Sequence, residues 1–131
     1  MIKPLTILVV DDEPAIRRAL ERALTRWGHT VLPATSGEAA CEILAASPVD
    51  LVLMDLRMPG MSGQTLFHSI VARWPHLVNR VIAMTGDPEA DDHYDWLHQH
   101  DLPVLMKPFE LAQLEALVTS VAAEERRRSQ G

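Results

Sequence analysis

The chain has 131 residues, 47% of them apolar and 23% charged, with a formal net charge of −6. This is one domain of ordinary size with enough apolar side chain to build a core, and its negative balance argues against a surface that binds nucleic acid directly. One cysteine, Cys41, excludes an internal disulfide and a cysteine-based metal site; the first apolar run is too short for a signal peptide and no stretch approaches a membrane span, so the expected location is the cytoplasm.

Leu5–Val10 is a continuous apolar run rich in β-branched residues, the pattern of a strand buried on both faces. It runs straight into Asp11 and Asp12. Pro14 suits the first turn of a helix, where its missing N–H costs nothing. Ile16, Ala19, Leu20, Ala23, Leu24 and Trp27 then recur at helical spacing until Gly28 ends the pattern. Thr30–Ala34 reads as a short second strand, which Pro33 pushes towards a sheet edge. Thr35-Ser36-Gly37-Glu38 has capping-box spacing, with Thr35 as the cap of a helix that ends near Ala46. Cys41 sits in the apolar pattern of that helix and reads as a small buried hydrophobe.

After the break at Ser47-Pro48, Asp50–Asp55 is the third strand. Met58–Gly63 is a loop by composition, and Ser62 caps a helix running through Trp74. Arg80–Met84 is the fourth strand, followed by the turn Thr85-Gly86-Asp87-Pro88. Asp87 as cap with Pro88 at the first helical position opens a fourth helix. Its apolar stripe (Ala90, Tyr94, Leu97) is thin, so it should be the least firmly held. Val104–Met106 is the fifth strand, and Leu111, Leu114, Leu117, Val118 and Val121 make the last amphipathic helix. Residues 1–123 thus form the domain, and residues 124–131 are expected to be a disordered polar tail.

Five strands alternating with five helices give an α/β fold, a parallel sheet with helices on both faces. In such sheets ligands bind outside the carboxyl ends of the strands. Asp11, Asp12, Asp55, Thr85 and Lys107 all fall at those ends, so the architecture gathers them. Mg²⁺ prefers oxygen ligands and suits one or two carboxylates plus a phosphate oxygen, with Mn²⁺ as a substitute. Asp12 is the best direct ligand, Asp11 could bind through water, and Asp55 supplies a third carboxylate. Without a cation these groups would raise one another's pKa. Asp55 can act as a nucleophile on phosphorus once a metal and the compact charge of Lys107 neutralise the phosphoryl oxygens. Thr85 offers a hydroxyl to a phosphoryl oxygen, and Gly86 leaves room for the group to enter.

Four motifs in order carry a family resemblance: Val9-Val10-Asp11-Asp12-Glu13, Met54-Asp55-Leu56-Arg57-Met58-Pro59-Gly60-Met61-Ser62-Gly63, Met84-Thr85-Gly86 and Met106-Lys107-Pro108-Phe109. With them the chain resembles the receiver domain of two-component response regulators from about Leu5 to Ala122. The resemblance implies the flavodoxin-like receiver fold with strand order 2-1-3-4-5. It implies Asp55 as the phosphoacceptor, Asp11 and Asp12 as the acidic pair, and the Arg57 carbonyl as a backbone metal ligand. Thr85 becomes the switch hydroxyl, Lys107 the phosphate-contacting lysine, and the Lys107–Pro108 bond cis. The implied donor is a phosphohistidine on a sensor histidine kinase or phosphotransfer domain. The implied output is a downstream protein partner, or a homodimer, through the fourth and fifth helices.

One departure stands out: Val104 occupies the fifth-strand position where receivers often carry the aromatic half of the switch. Arg57 and Asp87 flank the site, and an ion pair between them would limit water access to an aspartyl phosphate; solvated surface charges explain them equally well. His93, His98 and His100, near Asp91, Asp92 and Asp95, invite a zinc site, but a polar helix face accounts better for the cluster. A metabolic enzyme is not expected, since haloacid-dehalogenase-type phosphohydrolases need a second acid two residues after the nucleophile, where Arg57 stands. The alternative is a phosphorylation-independent interaction module on the same fold. The chain reads as a stand-alone receiver or one cut from a larger regulator or hybrid kinase.

Overall fold

The computed structural model describes residues 3–86 and 91–130, with the side chains of 91–93 and 124–130 outside the description. Five parallel strands, β1 (Thr6–Val10), β2 (Thr30–Ala34), β3 (Leu51–Asp55), β4 (Val81–Thr85) and β5 (Val104–Met106), form one sheet in the order β2-β1-β3-β4-β5. Helices α1 (Pro14–Arg26), α2 (Gly37–Ala46), α3 (Gly63–Arg73), α4 (Asp91–His100) and α5 (Leu111–Gln130) connect or follow them. The expected fold class and strand order are therefore those observed. Strand alternation splits the core in two, because neighbouring side chains point to opposite faces. Leu8, Val10, Val52, Met54, Val81 and Ala83 pack with Leu44, Leu66, Phe67, Ile70 and Leu97 from α2, α3 and α4. Ile7, Val9, Leu51, Leu53, Ile82 and Met84 pack with Leu20, Leu24, Leu114 and Val118 from α1 and α5. Each fully buried leucine contributes about 2 kcal/mol, so both faces are firmly closed. Among the described residues no helix is long and apolar enough to cross a membrane.

Local differences from the sequence reading have identifiable causes. The cap of α2 is Ser36, not Thr35: the Ser36 hydroxyl accepts from Ala39 N–H at 3.1 Å. Both residues can cap, and Ser36 is the one left extended where the chain turns off β2. Ser62 caps α3 as expected, accepting from Thr65 N–H, but α3 stops at Arg73 and Pro75–Leu77 adds a short 3₁₀ turn. The cap assigned to Asp87 and Pro88 lies outside the described residues. In α4, Leu97 is buried and Trp96 half-buried, whereas Tyr94 is 47% exposed and leaves the expected stripe. The backbone of α5 continues to Gln130, through the segment read as a tail from Glu124; Ala, Glu and Arg there are all strong helix formers. Cys41 is half-buried against the core, and burial pushes its thiol up.

The end of α1 shows how one glycine sets up a distant contact. Gly28 has φ of 95°, a left-handed conformation open to glycine without strain. Its N–H bonds Thr25 C=O and the next N–H, of His29, bonds Leu24 C=O, both at 3.0 Å, which closes the helix in a Schellman motif. The turn drops His29 into a buried place where its Nδ1 accepts from Leu5 N–H at 3.0 Å, at the start of β1. Burial lowers the pKa of His29, so the neutral ring belongs to the fold. That contribution is complete above the ordinary histidine range, near pH 6.5, and is lost as pH falls through the depressed folded value. We expect His29→Ala to destabilise the protein by about 1–2 kcal/mol at pH 7.5, through the orphaned Leu5 N–H. Urea unfolding of both proteins between pH 5 and 8 checks this: the gap should narrow towards the acid end.

Candidate functional site

Four strands bring residues at or just past their ends to one place at the carboxyl edge of the sheet. Asp11 follows β1 and is held by its own backbone: its N–H donates to Ala34 C=O at 3.1 Å and its C=O accepts from Arg17 Nη1 at 2.8 Å. Its carboxylate is fully buried, with Oδ1 accepting from Glu13 N–H at 2.9 Å. Asp55, the last residue of β3, is 4% exposed, and its Oδ1 accepts from Arg57 N–H at 3.1 Å. Thr85 ends β4, 3% exposed, and its C=O accepts from Lys107 N–H at 2.8 Å. This backbone bond carries Lys107 past the end of β5 and over the two acids. The Lys107–Pro108 bond is cis, as the resemblance implied.

Lys107 is the centre of the charge network. Its Nζ donates to Asp55 Oδ2 at 2.9 Å, lies 2.9 Å from Asp11 Oδ2, and is 3.5 Å from Glu13 Oε1. The Asp11 contact is an ion pair without hydrogen-bond geometry, so Asp11 Oδ2 is a buried oxygen with no hydrogen-bond partner. Burial pushes the lysine pKa down, but Asp11 and Asp55 outweigh it and hold the ammonium above its ordinary range. Burial pushes the Asp55 carboxyl up, and Asp11 adds to this, while Lys107 and the Arg57 N–H oppose it; the net direction is upward. One ammonium is shared among several acids, so it cannot fully compensate any of them.

Asp12 completes the cluster from the solvent side: it is exposed, yet one carboxylate oxygen each from Asp11, Asp12 and Asp55 lie within 4.8 Å of one another. An all-oxygen donor set, its buried Asp11 Oδ2 held by an ion pair alone, fits a hard divalent cation such as Mg²⁺. The structure thus brings together Asp11, Asp12, Asp55, Thr85 and Lys107. Arg57 is exposed beside Asp55 and meets it through its backbone N–H. Its side-chain partnership with Asp87 falls outside the described residues.

Sequence reasoning missed Glu13, Arg17 and Gly63. Glu13 stands in the first motif, and Arg17 lies one helical turn further on, so both were within reach of a helical-spacing argument. Gly63 stands in the second motif, but spacing alone gives it no role. A Cβ at Gly63 would collide with the Asp55 carbonyl oxygen and come within 2.7 Å of Leu56 Cα. The start of α3 is therefore pressed directly under the backbone of the candidate nucleophile, and Gly63 N–H donates to Leu56 C=O at 3.1 Å. Gly63→Ala should cost about 2 kcal/mol through overpacking against backbone that cannot yield, read as a melting temperature lower by roughly 5–10 °C.

The chain matches known proteins over most of its length. A family model described as the response regulator receiver domain matches residues 7–119. The chain is 38% identical over 112 residues to the response regulator protein FleR of Pseudomonas aeruginosa, covering 86% of this chain and 23% of that protein. It is 39% identical over 112 residues to the DNA-binding transcriptional regulator NtrC of Escherichia coli, covering 86% and 24%. It therefore spans about a quarter of these curated relatives. Among solved structures, a response regulator receiver protein from Pseudomonas putida superposes with a TM-score of 0.79 at 30% identity, covering 92% of this chain and 99% of that one.

Proposed function

The chain belongs to the response regulator receiver domain family, and from that premise we propose that it accepts a phosphoryl group on Asp55 in a Mg²⁺-dependent reaction. The observation that carries the reading is the Lys107 ammonium 2.9 Å from Asp55, inside a cluster of three carboxylates fit for a divalent cation. The proposed donor is a phosphohistidine of a sensor histidine kinase or a phosphotransfer domain. An Asp55 carboxylate oxygen attacks phosphorus; the new O–P bond forms as the N–P bond breaks, and the electron pair leaves with the imidazole nitrogen, which takes a proton from solvent. Mg²⁺, when bound, supplies positive charge to the phosphoryl oxygens and relieves the repulsion among the acids.

The chain's own residues do the rest. Asp11 and Asp12, with Asp55 and the Arg57 carbonyl, would hold the cation. The Arg57 N–H on Oδ1 fixes the Asp55 carboxylate so that the other oxygen points to the incoming group. Lys107 moves from Asp55 Oδ2 to a phosphoryl oxygen and keeps its charge contact with Asp11. Thr85, at the adjacent strand end, offers its hydroxyl to the same group. Slow hydrolysis of the acyl phosphate returns the site to its starting state, so the domain modifies itself and does not turn over a metabolite. Its output would pass through the surface of α4 and α5, and donor and receiver would meet in the cytoplasm.

Incubation with Mg²⁺ and acetyl phosphate, followed by intact mass, tests the reading. A gain of one phosphoryl group that is lost in Asp55→Asn supports it. No gain with acetyl phosphate or with a phosphorylated kinase favours a phosphorylation-independent interaction module.

A further inference from the structure

One of the histidines singled out in the fourth helix, His100, finds a partner that its own helix does not contain. His100, at the end of α4, packs against His68 of α3 with ring centroids 5.3 Å apart. His98 instead meets the Tyr94 ring, tilted, at 4.8 Å. The His68–His100 pair packs against an aromatic cluster. Phe67, 3% exposed, lies 5.2 Å from the His100 ring, 6.0 Å from the His68 ring and 5.4 Å from the Trp96 ring. Trp96 flanks both imidazoles, 4.9 Å from His100 and 6.1 Å from His68, and its Nε1 donates to His68 Nε2 at 3.4 Å. His68 is exposed and His100 half-buried, so the pair is reachable from solvent.

We propose that His68 and His100 form a bidentate site for a zinc-type divalent cation, bridging α3 and α4. The separation fits the chemistry. A ligating imidazole sets its ring centre about 3.2 Å from the ion, so two rings at a tetrahedral angle have centres about 5.2 Å apart, and the observed value is 5.3 Å. The rings come from different helices and are held by Phe67 and Trp96, so little ordering is left for the ion to impose. The Trp96 N–H already directs His68 Nε2 towards α4, and an ion between the rings takes the place of that donor. Neutral imidazoles favour zinc, copper and nickel over Mg²⁺, which separates this site from the all-oxygen cluster at Asp11, Asp12 and Asp55. Two waters would complete the tetrahedron. The ion would tie α4 to α3 where Leu97 and Trp96 now supply the apolar contacts.

Calorimetric titration of Zn²⁺ into the protein, with saturating Mg²⁺ to occupy the acidic cluster, tests the site. One equivalent of zinc should bind in the micromolar range, and roughly tenfold excess over Kd should raise the melting temperature by about 5 °C. His68→Gln, which keeps an acceptor for Trp96 Nε1, and His100→Gln should each weaken binding at least about tenfold, or by 1.4 kcal/mol. His98→Gln should leave it unchanged. Imidazole NMR signals of His68 and His100 should shift together at one equivalent of zinc. The proposal is overturned if no zinc binds at millimolar concentration, if binding survives either substitution, or if the shifted signals belong to other histidines.

Discussion

Asp55→Asn should raise the melting temperature of the metal-free protein at pH 7 by roughly 4 °C while abolishing phosphoryl acceptance. The two effects have one cause. In the fold, burial and Asp11 raise the Asp55 pKa against the opposition of Lys107, so the native state holds this proton more tightly than the unfolded chain. Stability is therefore lost as pH rises from the ordinary carboxylate range through the raised folded value, and stays lower above it. An amide at the same place keeps the oxygen that accepts from Arg57 N–H and removes the charge. Lys107 remains paired with Asp11 Oδ2 at 2.9 Å and with Glu13. Melting curves of both proteins from pH 4 to pH 8 check this: the variant's advantage should vanish at the acid end and grow towards neutrality. Adding Mg²⁺ should shrink it, because the cation favours the ionised carboxylate of the wild type. A variant less stable than the wild type at pH 7 would contradict the reading of Asp55 as an under-compensated charge.

Lys107→Ala should act in the opposite direction and more strongly. Removing the ammonium strands the Asp11 and Asp55 carboxylates together, 0% and 4% exposed, and stranding one partner of a buried pair costs about 3 kcal/mol. At this chain length that is a melting temperature lower by roughly 10 °C in the absence of metal. Saturating Mg²⁺ should recover much of the loss and should bind more tightly than to the wild type, since it no longer competes with an ammonium. Phosphorylation should still slow by about 10²–10³-fold, because the contact with the transferring group is gone. Metal rescue of stability without rescue of the phosphorylation rate separates the structural role of Lys107 from its chemical one. Recovery of both would leave Lys107 with a structural role alone.

Much of this was legible in the residues because the strong signals were local. A strand such as Ile7–Val10 is buried on both faces and reads as an unbroken apolar run; a proline at the start of α1 and a glycine after its end mark its bounds. The strand-end acids and Lys107 stood out because charge after a buried strand is costly without a partner. What the sequence hid were choices between near-equivalents and contacts across long separations. Thr35 and Ser36 are equally able caps, and only the path of the chain off β2 selects Ser36. Gly63 looks like any loop glycine until Asp55 C=O is placed against it. His68 and Trp96, 28 positions apart, meet only because α3 and α4 lie side by side. Val104 is half-buried against the core and pairs with Ala83 in the sheet, so an aliphatic residue serves the structure where the resemblance led one to look for a ring.

The order of the strands also ties the site to the closure of the sheet. β1 is the first strand in the chain and lies between β2 and β3, while Lys107 follows β5, the last strand in the chain and an outer strand of the sheet. Its bond to Asp55 spans 52 positions, so the lysine meets the acids only where β5 has closed onto the sheet. Such non-local closure carries a loop-entropy cost. On the proposed reading, a chain with β5 detached would present the acids without the ammonium, so acceptance of a phosphoryl group would also require the sheet to be closed.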